Sequence, residues 1–156
     1  MEGIQSGFNK NIIIAVDESS NAERAVAYVA KLVGGLPGFA VVLLHVIDDP
    51  QEDFFRNEAE KQQWLAEYRQ RIQRVLAGYR DRLVAGGFAP GSISQRVTLR
   101  NCPSMAQCIL AERAEADCAT IVVGRQGRSR SEEFLFGSVS SKIVTHARQC
   151  TVWVVE

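Results

Sequence analysis

The sequence lacks both an excess of charge of one sign and any long run of apolar side chains. Among its 156 residues, lysine plus arginine and aspartate plus glutamate number 18 each, so no overall charge attracts nucleic acid or an anionic membrane. No apolar run approaches the roughly 20 residues that span a bilayer, and the opening MEGIQSGFNK lacks the basic-then-apolar order of a signal peptide. We therefore expect a cytoplasmic protein that binds neither nucleic acid nor membrane.

The four cysteines lack the spacing of a metal site. The sequence has no CxxC pair and no histidine at metal-ligand spacing from Cys102, Cys108, Cys118 or Cys150. We expect buried or half-buried free thiols, and we assign no metal ligand. Cys102 precedes a helix start, where a thiolate is stabilised, but the sequence offers it no evident resolving partner.

Apolar blocks alternate with helical patterns along the chain. Blocks that are apolar on successive residues predict strands buried on both faces, and apolar spacings of three and four predict helices. The first helix has capping-box spacing at Ser20 and Glu23 and ends before Gly34. The expected strands are 11–16, 39–47, 92–99, a fourth that ends at Val123, and 151–155, and the expected helices are 20–33, 58–85, 104–116 and 138–147.

This alternation predicts one α/β domain over residues 1–156, with a five-stranded parallel sheet and helices on both faces. The first, second and fourth strands are the most apolar and should be central, which the strand order 3-2-1-4-5 achieves. In that order the carboxyl ends of the first and fourth strands form a crevice, the usual ligand site of open α/β sheets. Residues 17–20 and the loop 124–138 follow those two strands and should meet there.

The loop 124–138, GRQGRSRSEEFLFGS, has the residues of a phosphate cradle. Gly124 and Gly127 would let a ligand approach the backbone, and Arg128 adds positive charge. Gly137 and Ser138 open a helix, whose first N–H groups and positive dipole end bind anions. The common cradles GxxxxGK[ST] and GxGxxG are both absent, so this would be a different kind of phosphate site.

The spacing G-x2-G-x9-G-[ST], here Gly124, Gly127, Gly137 and Ser138, resembles the nucleotide-binding signature of the universal stress protein family. IIIAVDESSNAERAV is similar to the opening strand and helix of that family, and VVLLHVID is similar to its second strand. GRQGRSRSEEFLFGSVSSKIVTHARQCTVWVV is similar to its closing module, so the resemblance covers nearly the whole chain. It implies a Rossmann-like fold similar to that of the adenine nucleotide α-hydrolases. It also implies the ATP-binding branch of the family.

The resemblance further implies a role for each matching residue. Asp17 would contact the ribose, the backbone of Val46 would bind the adenine edge, and the glycine loop with the following helix start would hold the phosphates, which Mg²⁺ or Mn²⁺ can accompany. The complete set of expected nucleotide-binding residues is Ala15, Asp17, Val46, Gly124, Arg125, Gly127, Arg128, Ser129, Arg130, Gly137, Ser138, Val139 and Ser140. Three positions depart from the family pattern: Glu18 replaces Gly, Asn101-Cys102-Pro103 replaces Gly-acid-Pro, and Thr151 replaces Pro.

Several of these residues also have a purely structural interpretation. Asp17 could cap the first helix with its neighbouring serines. His45 lies in a buried strand and is expected to be a hydrogen-bonded core residue, whereas His146 and the pair Asp48 and Asp49 should face solvent. The apolar stripe of helix 58–85 is expected to pack on the sheet rather than form a coiled coil. The polar segment 48–63, with Phe54 and Phe55, could form a flap over the crevice.

Three functional classes come into question for such a crevice. The first is an ATP-binding stress-response sensor or regulator with little or no catalytic turnover, and this is our interpretation. The alternative is a slow ATP-hydrolysing or nucleotide-using enzyme of the same fold, against which no nucleophile–base pair is evident. A phosphorylated receiver is excluded because Arg100 and Asn101 follow the third strand, where a receiver needs an aspartate.

The last strand predicts a homodimer. TVWVV has no internal charge or proline, the devices that usually protect a sheet edge, and it would expose Trp153. Pairing of two copies of 151–155 about a two-fold axis would satisfy both edges. The family resemblance implies the same interface.

Overall fold

The computed structural model describes residues 8–50, 52–125 and 137–156. The strands are β1 (Asn11–Ala15), β2 (Ala40–Ile47), β3 (Ile93–Leu99), β4 (Thr120–Gly124) and β5 (Thr151–Val155). The helices are α1 (Ser20–Val33), α2 (Glu58–Ala85), α3 (Met105–Glu115) and α4 (Ser138–His146). A short 3-10 helix at Glu52–Phe54 precedes α2, and another at Pro90–Ser92 precedes β3.

The five strands form a parallel sheet in the order β3-β2-β1-β4-β5, which confirms the expected fold class. β1 lies between β2 and β4, with Ile13 paired to Val42 on one side and to Ile121 on the other. β1 and β4 are consecutive in the sheet but not in the chain, so the crevice at the switch in strand order is present where expected.

Alternate residues of the strands pack into two separate hydrophobic cores, one on each face of the sheet. Ile12 and Ile14 join the core formed with α1 and α2, whereas Ile13 joins the core formed with α3 and α4. Burial of both faces explains why β1 and β2 are apolar at successive positions. The stripe on α2 packs on the sheet as expected, and its buried residues are Leu65, Ile72, Leu76, Tyr79 and Leu83.

Glycines let the carboxyl ends of α1 and α2 touch. A Cβ built on Gly34 would overlap the carbonyl oxygen of Gly86, and one built on Gly87 would come within 2.5 Å of the backbone nitrogen of Gly35. Both helices end at these glycines, so the residues that terminate the helices also allow their close approach.

Side chains cap three of the four α-helices. Ser19 accepts a hydrogen bond from the Ala22 N–H and is the N-cap of α1, so the predicted capping box that began at Ser20 is wrong by one residue. Asn57 caps α2 and Ser104 caps α3 in the same way. At α4 the N-cap is Gly137, which has no side chain to satisfy the first N–H groups.

Two of the four cysteines are not free thiols, which corrects the expectation from sequence. Cys102 and Cys108 form a disulfide with their Cα atoms 5.5 Å apart. Cys102 lies two residues before the N-cap Ser104, and Cys108 lies at the fourth helical position, where α3 turns back toward the incoming chain. Cys118 is a buried free thiol and Cys150 a half-buried one.

Trp153 is half-buried, not exposed as the sequence suggested. It packs against the core on the α1 side of the sheet, and its ring meets that of Tyr28 edge-on with centroids 6.1 Å apart. Within the described parts of the chain, no helix is long and apolar enough to cross a membrane.

Candidate functional site

A cleft of about 490 Å³ opens at the carboxyl ends of β1, β2 and β4. This volume lies within the range of about 300–1,000 Å³ that is usual for small-ligand sites. All nine expected binding residues that the structure describes contribute to the lining, namely Ala15, Asp17, Val46, Gly124, Arg125, Gly137, Ser138, Val139 and Ser140. The expected residues Gly127, Arg128, Ser129 and Arg130 lie outside the described residues.

Asp17 is held at the cleft by its neighbours but is not the helix cap. Its Oδ1 accepts a hydrogen bond of 2.8 Å from the Ser19 N–H, and Ser19, not Asp17, caps α1. Its backbone carbonyl accepts a hydrogen bond of 2.7 Å from the Tyr79 hydroxyl, which fixes the turn after β1 to α2. The carboxylate therefore retains a second oxygen that can accept a hydrogen bond from a ligand.

The backbone of Val46 faces the cleft beyond the end of β1. The Leu44 carbonyl accepts from the Val16 N–H on the β1 side, and the Ile47 carbonyl accepts from the Arg100 N–H on the β3 side. Since successive residues of a parallel strand bond to opposite neighbours, the N–H and C=O of Val46 point to the β1 side. Pairing with β1 stops at Leu44, so neither group has a backbone partner among the described residues.

The start of α4 forms the opposite wall of the cleft. Gly137, its N-cap, donates its N–H to the Arg125 carbonyl at 2.7 Å, and the buried Ser140 hydroxyl donates to the same carbonyl at 2.7 Å. Ser140 therefore anchors the helix start to the end of β4. The N–H groups of Ser138, Val139 and Ser140 belong to the first turn of α4, where no intrahelical acceptor exists.

Close packing against α1 also requires a glycine at position 124. A Cβ at this position would lie 2.8 Å from the Cβ of Asn21 and 3.1 Å from its backbone carbonyl carbon. The missing side chain thus allows α1 to approach the end of β4. Gly124 lines the cleft, but the close contact that requires glycine is with α1.

Two charged side chains at the cleft are ion-paired. Arg125 binds Glu156, with Nη1 and Oε1 2.9 Å apart, and Glu18 binds Arg71, with Oε1 and Nε 3.1 Å apart. Arg71 in turn lies 4.8 Å from the centre of the Tyr68 ring. The extra acidic residue at position 18 therefore has its own positive partner on α2.

His45 is a buried, hydrogen-bonded residue, as expected, and it also lines the cleft. Its Nδ1 lies 2.7 Å from the Val16 carbonyl oxygen, and its Nε2 lies 2.8 Å from the Tyr68 hydroxyl. Burial lowers the pKa of His45, and Arg71 lowers it further, while the hydrogen bond to Val16 and the charges of Asp17 and Glu18 act in the opposite direction. His146 ends α4 and is exposed, as expected.

A second, more open cleft adjoins the first. Its volume is about 740 Å³, and it shares Asp48, Tyr68 and Arg100 with the inner cleft. Asp48 pairs with Arg100 at 2.9 Å and Asp49 with Lys61 at 3.5 Å. Its other lining residues are Pro50, Phe54, Trp64 and Cys102.

An aromatic row borders this outer cleft. The rings of Phe54 and Phe55, Phe55 and Trp64, and Trp64 and Tyr68 are in contact, with centroids 5.0, 5.5 and 5.2 Å apart. Phe54 is 68% exposed at the end of the row. The sequence suggested that the phenylalanines lie near the crevice, but it did not identify Trp64 and Tyr68 as their neighbours there.

The comparisons with known proteins agree with this fold. A model described as the universal stress protein family matches residues 9–156. A protein named as a universal stress protein of Staphylococcus aureus (strain USA300) is 31% identical over 150 residues, which cover 94% of this chain and 83% of that relative. The chain belongs to the universal stress protein family.

Two solved universal stress protein structures share the fold of this family member. One, a complex with cAMP, has a TM-score of 0.68 and 17% identity, and the match covers 95% of this chain and 97% of that one. The other, from Archaeoglobus fulgidus in complex with dAMP, has a TM-score of 0.63 and 20% identity, and the match covers 96% of this chain and 99% of that one. At these identities the likeness establishes the fold alone.

No group of three or more histidine, cysteine, aspartate or glutamate side chains that could hold a metal ion is found in the described ranges 8–50, 52–125 and 137–156. Among the acidic side chains that line the inner cleft, Glu18 pairs with Arg71 and Asp48 with Arg100, whereas Asp17 accepts a single hydrogen bond from the Ser19 N–H. The cleft thus offers backbone N–H and C=O groups, one carboxylate and a helix N-terminus to a ligand.

Proposed function

We propose that this universal stress protein binds an adenine nucleotide, ATP in particular, in the inner cleft. The observation that carries the proposal is the pairing of two features across one cleft. The backbone of Val46 presents an N–H and a C=O beyond the end of β1, and the uncapped start of α4 faces it from the other wall. The first suits the edge of a base, and the second suits a phosphate.

Each described residue would then have a definite task. The N–H and C=O of Val46 would pair with the acceptor and donor on the Watson–Crick edge of adenine, and Asp17 would accept a hydrogen bond from a ribose hydroxyl. The N–H groups of Ser138, Val139 and Ser140 would hold a phosphate at the positive end of the α4 dipole. Ala15, Gly124, Arg125 and Gly137 line the same cleft and complete the described part of the site.

The ligands of the two fold neighbours support the adenine assignment. One is described as a complex with cAMP and the other as a complex with dAMP, so both ligands contain adenine and a phosphate. The glycine signature supports a longer phosphate chain, because Gly127, Arg128, Ser129 and Arg130 belong to it. We include these four residues in the proposed site on the sequence pattern alone.

A divalent cation, Mg²⁺ or Mn²⁺, would be held mainly by the phosphates and by water. Mg²⁺ commonly keeps several waters and takes only one or two protein carboxylates, and Asp17 is the inner-cleft carboxylate that forms no ion pair with a described residue. The cation would neutralise phosphate charge that a single helix N-terminus cannot balance.

We further propose a regulatory role with little or no turnover. Hydrolysis needs an activated water or a nucleophile with a base in reach. In the described part of the cleft, both nitrogens of His45 are engaged by Val16 and Tyr68, and the Ser140 hydroxyl is engaged by the Arg125 carbonyl. This chain would therefore act as a cytoplasmic single-domain sensor in which occupancy by nucleotide, not its conversion, is the signal.

Thermal unfolding of the native chain tests the proposal. ATP with Mg²⁺ at a hundredfold over its dissociation constant should stabilise the protein by about 2.7 kcal/mol. For a chain of this size the melting temperature should rise by roughly 5 °C or more. GTP is the matched control, because it has the same phosphates but presents a different edge to Val46, and it should give a clearly smaller shift. Equal shifts, or none at millimolar ATP, would refute an adenine site.

A further inference from the structure

The disulfide between Cys102 and Cys108 lies at the rim of the clefts, and neither the family nor the proposed function accounts for it. Cys102 lines the outer cleft, and Met105 and Ile109 on the same helix start line the inner one. The two cysteines are six residues apart and bracket the N-cap Ser104. The disulfide therefore fastens the loop after β3 onto the first turn of α3.

The two sulfur atoms are not equally accessible. Cys102 is half-buried at the wall of the open cleft, whereas Cys108 is only 2% exposed and packs in the core between the sheet and α3. A reagent from solvent can therefore reach Cys102 first. Such an asymmetric pair, with one accessible and one shielded sulfur, is the arrangement that a reversible thiol–disulfide site requires.

Hydrogen bonds that do not involve sulfur hold the loop that carries Cys102. Arg100 donates hydrogen bonds to the carbonyls of Cys102 at 3.2 Å and Pro103 at 2.8 Å, and to Oδ1 of Asp48 at 2.9 Å. Ser104 fixes the helix start by accepting from the Gln107 N–H. None of these contacts involves sulfur, so none of them depends on the disulfide.

We propose that Cys102 and Cys108 form a reversible redox site that reacts with low-molecular-weight disulfides and thiols, with Cys102 as the reacting residue and Cys108 as the resolving one. In oxidation, the Cys102 thiolate attacks a small disulfide, which forms a mixed disulfide and releases one small thiolate. The Cys108 thiolate then attacks Sγ of Cys102, which closes the protein disulfide and releases the second. Two protein thiols are oxidised and one small disulfide is reduced to two thiols.

The other two cysteines provide internal controls. Burial raises the pKa of the Cys118 thiol to about 11, so this residue should stay protonated and unreactive at neutral pH. Cys150 is half-buried like Cys102 but is a free thiol without a disulfide partner. Selective reaction at Cys102 would therefore reflect its place beside Cys108 and the outer cleft, not exposure alone.

The test is to equilibrate the full native chain in a series of glutathione buffers, from fully reduced to fully oxidised. Each sample is then quenched with acid, its free thiols are alkylated, and its peptides are mapped by mass spectrometry. Cys102 and Cys108 should lose alkylation together and appear as one disulfide-linked pair. Reduced buffer should restore both thiols. Cys118 should remain unmodified by glutathione throughout.

Three variants identify the reacting sulfur. Cys108→Ser should accumulate a glutathione adduct on Cys102, Cys102→Ser should leave Cys108 unmodified, and Cys150→Ser should behave as the native chain. The proposal is overturned if Cys102 and Cys108 remain alkylatable in fully oxidised buffer, if the bond persists in excess reduced glutathione, or if Cys108→Ser carries its adduct elsewhere. The native-chain series needs no variant to fold, and none of these readouts depends on nucleotide binding.

Discussion

Nε2 of His45 lies 2.8 Å from the hydroxyl oxygen of Tyr68, while Nδ1 of the same ring lies 2.7 Å from the carbonyl oxygen of Val16. A carbonyl can only accept, so Nδ1 carries the hydrogen and the neutral Nε2 accepts from the Tyr68 O–H. One buried imidazole thus joins β1, β2 and α2 beside the cleft. In the neutral ring Nδ1 donates to the Val16 carbonyl and Nε2 accepts from the Tyr68 hydroxyl, so both nitrogens have a partner.

The stability of the protein should therefore decrease as the pH falls below about 6.5, the ordinary histidine value. Burial lowers the pKa of His45 in the folded state, so the unfolded chain binds a proton at a higher pH than the folded one does. Between the two pKa values the unfolded state holds more protons, and the free energy of unfolding rises with pH. Chemical denaturation at a series of pH values between 5 and 8 measures this slope.

His45→Gln should be less stable than the native chain at pH 8, because the contacts of the imidazole with Val16 and Tyr68 are disturbed. The free energy of unfolding of this variant should also depend less steeply on pH. His146→Gln is the matched control, since His146 is exposed at the end of α4, and it should retain the native profile. A native slope in His45→Gln would show that other groups cause the pH dependence.

Asp17→Ala should weaken ATP binding by about 1–3 kcal/mol, because a hydrogen bond to a charged acceptor would be lost. Asp49→Ala is the control, because Asp49 lines the outer cleft and is absent from the lining of the inner one. Calorimetric titration gives both affinities, and thermal unfolding of the unliganded variants gives their stabilities. If Asp17→Ala lowered the stability but left the affinity intact, Asp17 would only support the turn before α1.

Two glycines of the helical layer should respond in opposite directions to alanine. Gly34→Ala should destabilise the protein by about 2 kcal/mol or more, because its Cβ would overlap the carbonyl oxygen of Gly86. Gly78→Ala should stabilise it by up to about 1 kcal/mol, because Gly78 lies within α2 and its added Cβ meets no atom within 4 Å. Urea denaturation measures both changes, and equal effects would contradict the proposed contact between α1 and α2.

We propose that two copies of the chain pair through β5. The Thr151 N–H donates to Ala119 and the Val155 carbonyl accepts from Arg125, both on the β4 side. Since directions alternate along a parallel strand, the backbone groups of Val152 and Val154 face the open edge of the sheet. The short, uncharged edge strand then offers a ladder to a second copy.

Val154→Pro should convert the dimer to a monomer, because it removes an outward N–H without breaking a bond to β4. Val154→Ala keeps that N–H and should remain dimeric. Light scattering at tens of micromolar distinguishes the two states. A native chain that is monomeric, or a proline variant that stays dimeric, would exclude this interface.

The sheet order and most element bounds could be predicted from the sequence, since each depends on local patterns. The apolar blocks at β1 and β2 indicate strands buried on both faces, and α2 and β5 have the predicted bounds. The cleft was predictable in outline because strand order alone brings residues 17–20 and the helix start at Ser138 to one edge.

The remaining features depend on contacts between distant segments or on side-chain direction. Gly124 was identified as a ligand-facing glycine, but its tightest contact is Asn21, which only the packing of α1 reveals. The Cys102–Cys108 bond was not predicted, because the two cysteines are six positions apart and do not form a CxxC pair. In the hydrophobic staple the residue before the N-cap contacts the fourth helical residue, and Cys102 lies one position further from the helix than that.

The site proposal is tested most directly by calorimetric titration of ATP with Mg²⁺ into the native chain, Gly137→Val and Gly91→Val. Gly137 is the N-cap of α4 and lines the inner cleft, so a valine there should obstruct the phosphate position. Gly91 is the control, because it lines neither cleft and a Cβ added to it meets no atom within 4 Å. We predict saturable binding near one ATP per chain for the native protein and Gly91→Val, and at least a tenfold loss for Gly137→Val. Binding of equal strength in all three proteins, or no binding to the native chain at millimolar ATP, would contradict a nucleotide site at the start of α4.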